Sequence, residues 1–268
     1  MQIGIEDYPG CLEAARLLIA ARESGVAGPR LPAGCRPQSL DQAFAVQQRT
    51  AQLLREERHD DVAAWKSALP SPEKAVVAPI YASTVAHAEA GPIAARTDVL
   101  RIEPEIAFEL AQDLPARAEP YTEAEIDAAI GGARLALEIL GCRYASPEHA
   151  SVPELLADHM FNLGLVLGPR IASPHTVPAS MAITLSMDGV QAEQHAGVHP
   201  NDRPKAGLYW LANFLRGQGL GLRAGQHVIT GSYAGFLDVP AGRELELAYG
   251  DLGVLRLRFA GPATQPSA

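Results

Sequence analysis

The chain is predicted to fold as an α+β protein, a mainly β body preceded by a small helical region. Three observations predict this. Apolar residues recur at helical spacing within residues 1–61 and then lose that period. From Val62 onward, short apolar or alternating runs bounded by Gly and Pro predominate, as strands require. Helical and strand-like segments do not alternate regularly, which disfavours a doubly wound parallel sheet. The expected organisation is a helical region at 1–61, a β-rich body at 62–261 and a mobile tail at 262–268.

Each element has its own signal. Leu12, Ala15, Leu18 and Ile19 share one helical face, with Gly25 as the stop. Gly and Pro make Glu23–Arg36 a loop. Ser39 is placed to cap a second helix carrying Leu40, Phe44, Val46, Ala51 and Leu54, which frays into the charged stretch Arg55–Asp61. Val62–Ala68 reads as a short buried strand, Pro70–Pro79 as a loop, and Val99–Leu110 as a long alternating strand. Thr122 starts a short helix, where Glu123 and Glu125 suit the positive end of the dipole. Leu135–Leu140 and Asn162–Leu167 are apolar runs, Ala182–Met187 a strand and Lys205–Gly217 a helix. Val228–Thr230, Glu244–Ala248 and Val254–Phe259 complete a strand-rich C-terminal part.

Of 268 residues, 47% are hydrophobic and 20% charged, which excludes wholesale disorder, collagen and coiled coil. Lys and Arg number 22 against 31 Asp and Glu, and a net charge of −9 argues against a nucleic-acid partner. The apolar stretch Cys11–Ala21 is broken by Glu13 and Arg16 and falls short of the roughly 20 residues that a bilayer demands, so no membrane partner is expected. The early acids of MQIGIEDYPG do not read as a signal peptide. Cys11, Cys35 and Cys142 are far apart and form no CxxC, so a reducing cytoplasm is the expected location.

The chemistry-bearing segment is Arg101-Ile-Glu-Pro-Glu-Ile-Ala-Phe-Glu-Leu110. On a strand, Ile102, Pro104, Ile106, Phe108 and Leu110 take one face, and Glu103, Glu105, Ala107 and Glu109 take the other. Glu103 and Glu105 then project side by side, where two carboxylates repel and a hard divalent cation removes the repulsion. The alternative is a solvated face of an amphipathic strand. Glu138 lies inside Leu135-Ala-Leu-Glu-Ile-Leu140, where burial demands a partner, a cation or an ion pair with Arg134 or Arg143; the alternative is exposure on the strand's outer side. Lys66, in Val-Ala-Ala-Trp-Lys-Ser-Ala68, repeats the anomaly with opposite sign. A desolvated lysine can lose its proton near neutral pH and serve as a general base; the alternative is a lysine that snorkels to solvent.

In order along the chain, Trp65-Lys66, Ile-Glu-Pro-Glu-Ile-Ala-Phe108, Ala-Leu-Glu-Ile139 and Val228-Ile-Thr-Gly231 resemble the 2-oxopent-4-enoate hydratase and oxalocrotonate decarboxylase family, within the fumarylacetoacetate hydrolase superfamily. The resemblance runs from Gln38 to Phe259 and takes in Ala157-Asp158, His199-Pro200 and Trp210-Leu-Ala-Asn213. It implies a rolled, mixed β-sheet (a β-roll or barrel) and a homo-oligomer. It implies Mg²⁺ or Mn²⁺ held by Glu103, Glu105 and Glu138, a catalytic Lys66, and Thr230 and Asp158 close to a small 2-oxo acid substrate. The implied reaction is hydration of 2-hydroxypenta-2,4-dienoate in aromatic-compound breakdown. The alternatives are decarboxylation of an oxalocrotonate-like or oxaloacetate-like acid, and a non-catalytic homologue that binds a metal–oxo acid complex. Two departures touch substrate selection or the acid that delivers water: Lys74-Ala-Val-Val-Ala-Pro-Ile80 lacks the family's Asp-Phe-Gly, and Asp158-His-Met-Phe-Asn162 replaces an Asp-Asn-Ala-Ser-like run.

Other chemistries lack their signatures. His195 and His199 have i, i+4 spacing, but Gly197 and Pro200 interrupt any helix, so the pair reads as loop or surface rather than zinc ligands. His227 reads as a rim residue. No G-x-S-x-G elbow and no Walker A sequence occurs. For a dianionic substrate, Arg101 and Arg143 are the candidate counter-charges.

Overall fold

The computed structural model describes residues 4–70 and 75–261; the tail expected to be mobile lies outside them, as does the start of the Lys74–Ile80 stretch. Helix α1 (Cys11–Ser24) buries Cys11, Ala14, Ala15, Leu18 and Ile19, while Leu12 faces solvent. It stops at Gly25, whose φ of 67° is the left-handed cap that glycine adopts without a Cβ clash. Helix α2 (Leu40–Arg58) begins at Ser39, whose hydroxyl accepts the Gln42 N–H at 3.1 Å. It does not fray at Arg55. Left-handed His59 closes it, the Asp60 N–H reaches Leu54 O at 3.1 Å, and Arg58 pairs with Glu23 at 2.7 Å.

The strands are β1 (Val62–Ala68), β2 (Val76–Tyr81), β3 (Val85–His87), β4 (Ile93–Ala94), β5 (Val99–Leu110), β6 (Ile130–Leu140), β7 (Asn162–Arg170), β8 (Ser180–Met187), β9 (Val190–Val198), β10 (His227–Ile229), β11 (Leu237–Pro240), β12 (Glu244–Tyr249) and β13 (Val254–Ala260). Helices α3 (Glu123–Ala129), α4 (Val152–Ala157) and α5 (Ala206–Gly217) interrupt them. The reading of 70–79 as a loop is corrected from Val76 onward: that stretch is β2, at one edge of its sheet. Pro79 misled it, yet an edge strand tolerates a residue without an N–H.

Among the described residues there are two sheets. The first has eight strands, in the order β2-β1-β10-β5-β6-β7-β3, with β11 also on β5. It mixes parallel pairs (β1 with β10, β3 with β7) with antiparallel ones. Its two edge strands, β2 and β3, are joined by the three-residue turn Ala82–Thr84, so the sheet curls back on itself. The second has five strands, β4-β13-β12-β8-β9, and is tied to the first where Tyr249 Oη donates to Ala136 O at 2.6 Å.

The main apolar core runs from Cys11 to Phe259 and joins the helices to both sheets. A separate small cluster, Ala64, Ile80, Ala107, Ala136, Leu165, Leu167 and Ile229, lines the inside of the curl. Side chains two residues apart on a strand share a face. Lys66, Glu105 and Glu138 therefore join Ala64, Ala107 and Ala136 on the inside. At the other end of the same strands, His227 meets Glu109, Arg134, His87 and Arg170, and Glu109 pairs with Arg170. Charged side chains line that end, and apolar side chains separate it from the carboxylates.

Candidate metal centre and active site

The antiparallel register of β5 with β6 sets Glu103 directly opposite Glu138. Glu105 lies two residues on, facing the same way. Glu103, Glu105 and Glu138 each offer a carboxylate oxygen, and these oxygens lie within 4.8 Å of one another. Glu138 is fully buried and Glu105 is 2% exposed, so the solvated-face alternative does not hold. Lys66 arrives from β1, its Nζ 2.8 Å from Glu138 Oε1, and donates to Met160 O at 3.0 Å. The partner of Glu138 is thus Lys66, not Arg134 or Arg143. Asn162 Nδ2 donates to the same Glu138 oxygen at 2.8 Å, and the Gly231 N–H donates to Glu105 Oε2 at 2.7 Å.

Three acids and one ammonium leave the cluster anionic when all are charged. Burial, with Glu138 and Glu103 beside it, pushes the Glu105 carboxyl well above the usual carboxylate range. Burial also pulls against the charge on Lys66, but the attraction of Glu138, then of Glu103 and Glu105, outweighs it and holds the lysine above its ordinary value. Lys66 keeps its proton here. The expectation of a lysine deprotonated by desolvation omitted the three carboxylates that fold around it. A divalent cation fits the residues present: the donors are all hard oxygens, and the buried Glu138 Oε2 has no hydrogen-bond partner among the described residues. That orphaned atom needs an explanation, and a ligated ion supplies one.

The remaining sequence candidates are spread around this cluster. Thr230 is buried at the end of β10, where its hydroxyl donates to Pro204 O at 2.7 Å. Asp158 is buried and accepts the Arg143 N–H at 2.9 Å, with Arg143 Nε at 3.4 Å. Burial raises its carboxyl, and Arg143 opposes that rise. Arg101 is exposed and bound to Asp238, so Arg143 is the buried one of the two arginine candidates. His195 is half-exposed on strand β9 rather than in a loop, whereas His199 does lie in the loop after β9 but is buried there, 2% exposed.

Sequence reasoning missed several groups that hold the cluster. Residues 159–161 adopt left-handed φ values of 63°, 48° and 68° without a glycine among them. Such conformations cost on the order of 1–3 kcal/mol each and gather at functional sites. Here they turn the Met160 carbonyl toward Lys66 and start β7 at Asn162. His159 anchors the strained run, its Nε2 2.9 Å from Tyr81 Oη. No pattern in Asp-His-Met-Phe-Asn announces this backbone. The one available signal was that the run departs from its family counterpart.

The chain is 29% identical to the 2-oxo-hept-4-ene-1,7-dioate hydratase of Escherichia coli over 167 residues, 60% of this chain and 62% of that one. It is 30% identical to the 2-keto-4-pentenoate hydratase of Paraburkholderia xenovorans over 160 residues, 59% and 58% of the two chains. The match therefore spans about three-fifths of the length of these relatives. The structure of 4-oxalocrotonate decarboxylase from Pseudomonas putida G7, complexed with magnesium and adipate, superposes with a TM-score of 0.78 at 17% identity, covering 96% of this chain and 99% of that one. Residues 43–260 match the family described as Fumarylacetoacetate (FAA) hydrolase C-terminal, and with that match over most of its length the chain belongs to this family.

Proposed function

We propose that the protein is a divalent-metal-dependent lyase acting on a small 2-oxo acid, by hydration of a 2-hydroxypenta-2,4-dienoate-like substrate. The observation that carries this reading is the cluster of Glu103, Glu105 and Glu138 within 4.8 Å, with Lys66 on Glu138. The three carboxylates would hold Mg²⁺ or Mn²⁺, which when bound supplies Lewis-acid polarisation of the 2-keto oxygen and stabilises an enolate. Lys66 holds a proton at Nζ and moves it between the oxygen and carbon positions of the dienol. Its bonds to Glu138 and to Met160 O fix Nζ in place and leave its third N–H for the substrate. The apolar lining of Ala64, Ala107, Ala136 and Ile229 keeps bulk water from the closed end. Asp158, clamped by Arg143, holds the run that presents Met160 and Asn162. Thr230 bounds the substrate's place from the β10 side.

The hydratases among the relatives support hydration over decarboxylation, since both reactions share the metal and the lysine. This reading includes a cytoplasmic homo-oligomer. No described helix is long and apolar enough to cross a membrane. The test supplies Mg²⁺ and follows two signals, loss of dienol absorbance and CO₂ release from an oxalocrotonate-like acid. Dienol loss without CO₂ release is the expected result. CO₂ release in its place makes the protein a decarboxylase. Neither signal, with Mg²⁺ still bound, makes it a non-catalytic homologue.

A further inference from the structure

We infer that His199 is a positioning residue for the carboxylates of the metal centre, acting through the segment 230–233. The inference rests on the metal-dependent reading above. Strands β10 and β11 both pair with β5, at residues 107–109 and 99–102, and leave 103–106 without a strand on that side. The chain between β10 and β11 folds over this gap as a brace. The Gly231 N–H donates to Glu105 Oε2 at 2.7 Å, the Tyr233 N–H to Pro104 O at 3.0 Å, and Ser232 Oγ to the same carbonyl at 3.2 Å. Three successive residues thus hold Pro104 and Glu105. Pro104 has no N–H to offer, so its carbonyl is the backbone handle at the centre of the grip.

His199 locks this brace from the far side. Its Nε2 lies 3.3 Å from Thr230 Oγ1, and its ring meets Tyr233 edge-on with centroids 5.2 Å apart. Its Nδ1 edge faces the Asn201 backbone, with the Asn201 N–H at 3.1 Å. Its own N–H donates to Ala179 O at 2.8 Å, while the Val198 N–H donates to Tyr233 O at 2.9 Å. A Cβ on Gly231 would fall 2.6 Å from Pro200 Cγ, so the His199-Pro200 corner closes directly on the residue whose amide holds Glu105. Like-charge repulsion drives Glu105 away from Glu103 and Glu138. The brace opposes that displacement, and His199 ties the brace to the second sheet where β9 ends.

The test is Mn²⁺ titration of the EDTA-treated protein, with free Mn²⁺ read by electron paramagnetic resonance. His199→Phe keeps the ring against Tyr233 and removes both nitrogens; it is expected to weaken Mn²⁺ binding by about tenfold, as loss of an outer partner of a ligand does. Thr230→Val breaks the same contact from the other side, together with the bond to Pro204 O, and is expected to weaken binding at least as much, which keeps the inference testable should His199→Phe fail to fold. His199→Gln, whose amide reaches Thr230, is expected to recover most of the affinity. The exposed-strand variant His195→Ala is expected to bind as the wild type does. Binding by His199→Phe or Thr230→Val within about twofold of wild type overturns the inference. So does a loss in His195→Ala as large as theirs. Glu138→Gln separates the two levels: if it too binds Mn²⁺ normally, the metal reading itself fails.

Discussion

Lys66 and Glu138 are each a charge set in an apolar run, and that mismatch alone marked both before any partner was known. Glu103 and Glu105 were legible from alternation. His199 was not: its partners Thr230 and Tyr233 come from the β10–β11 connection, more than thirty positions along, and its spacing from His195 drew attention to a metal role instead. The same limit applies to His227, read as a rim residue. Burial, opposed by Glu109 and reinforced by Arg134, His87 and Arg170, lowers its pKa from 6.5 to about 4. The unfolded ring takes up a proton below 6.5 and the folded one does not until about 4. Its contribution to stability is therefore complete above 6.5 and lost as the pH falls toward 4. His227→Gln should flatten the acid limb of the stability curve in that window, by at most about 3 kcal/mol, in urea unfolding at stepped pH. An unchanged acid limb would remove His227 from the account.

Elements declared themselves where one signal dominated. The cap at Ser39 did so, and the structure shows its hydroxyl accepting the Gln42 N–H. Ser39→Ala should cost about 1 kcal/mol. In a chain of this size that lowers Tm by roughly 2–4 °C. Ser39→Asp, which also caps, should restore it in the same thermal scan. Mn²⁺ affinity should not move, because α2 touches the outer side of the sheet, where Gln47 Nε2 donates to Val77 O at 2.9 Å. A loss of Mn²⁺ binding in Ser39→Ala would mean that the helical region shapes the centre after all. The long strand β5 was equally legible, since its alternation persists over many residues, whereas only the second half of β6, the apolar run Leu135–Leu140, was read, because Gly131, Gly132 and Arg134 break the pattern before it. The elements that escaped had no such pattern. β2 carries Pro79, β3 and β11 are short, and β9 is exposed from Val190 to Gln194, so burial imposed no period on it.

The curl of the first sheet is what brings residue 66 to residue 138, and no local signal records it, because the β1–β10 and β3–β7 pairings join segments far apart in the chain. Closing the curl concentrates three acids around one lysine, so the metal-free fold carries a repulsion that a proton or a cation must relieve. Burial beside Glu138 and Glu103 raises Glu105 well above its ordinary value of 4.5. For a carboxyl raised on folding, the contribution to stability is complete below 4.5 and lost as the pH climbs through the folded value. A cation takes over the proton's part, so its stabilisation should grow with pH. Mg²⁺ at about a hundred times its Kd should add roughly 2.7 kcal/mol to the stability of the folded chain, by mass action alone. In thermal unfolding, the Mg²⁺-dependent rise in Tm should be larger near about pH 8 than near about pH 5. Glu138→Gln should abolish the rise at both, since it removes a ligand while keeping a neutral side chain of the same shape beside Lys66. Equal rises in wild type and variant would mean that the cation binds elsewhere. A rise that is larger in acid would mean that Glu105 is not what the cation neutralises.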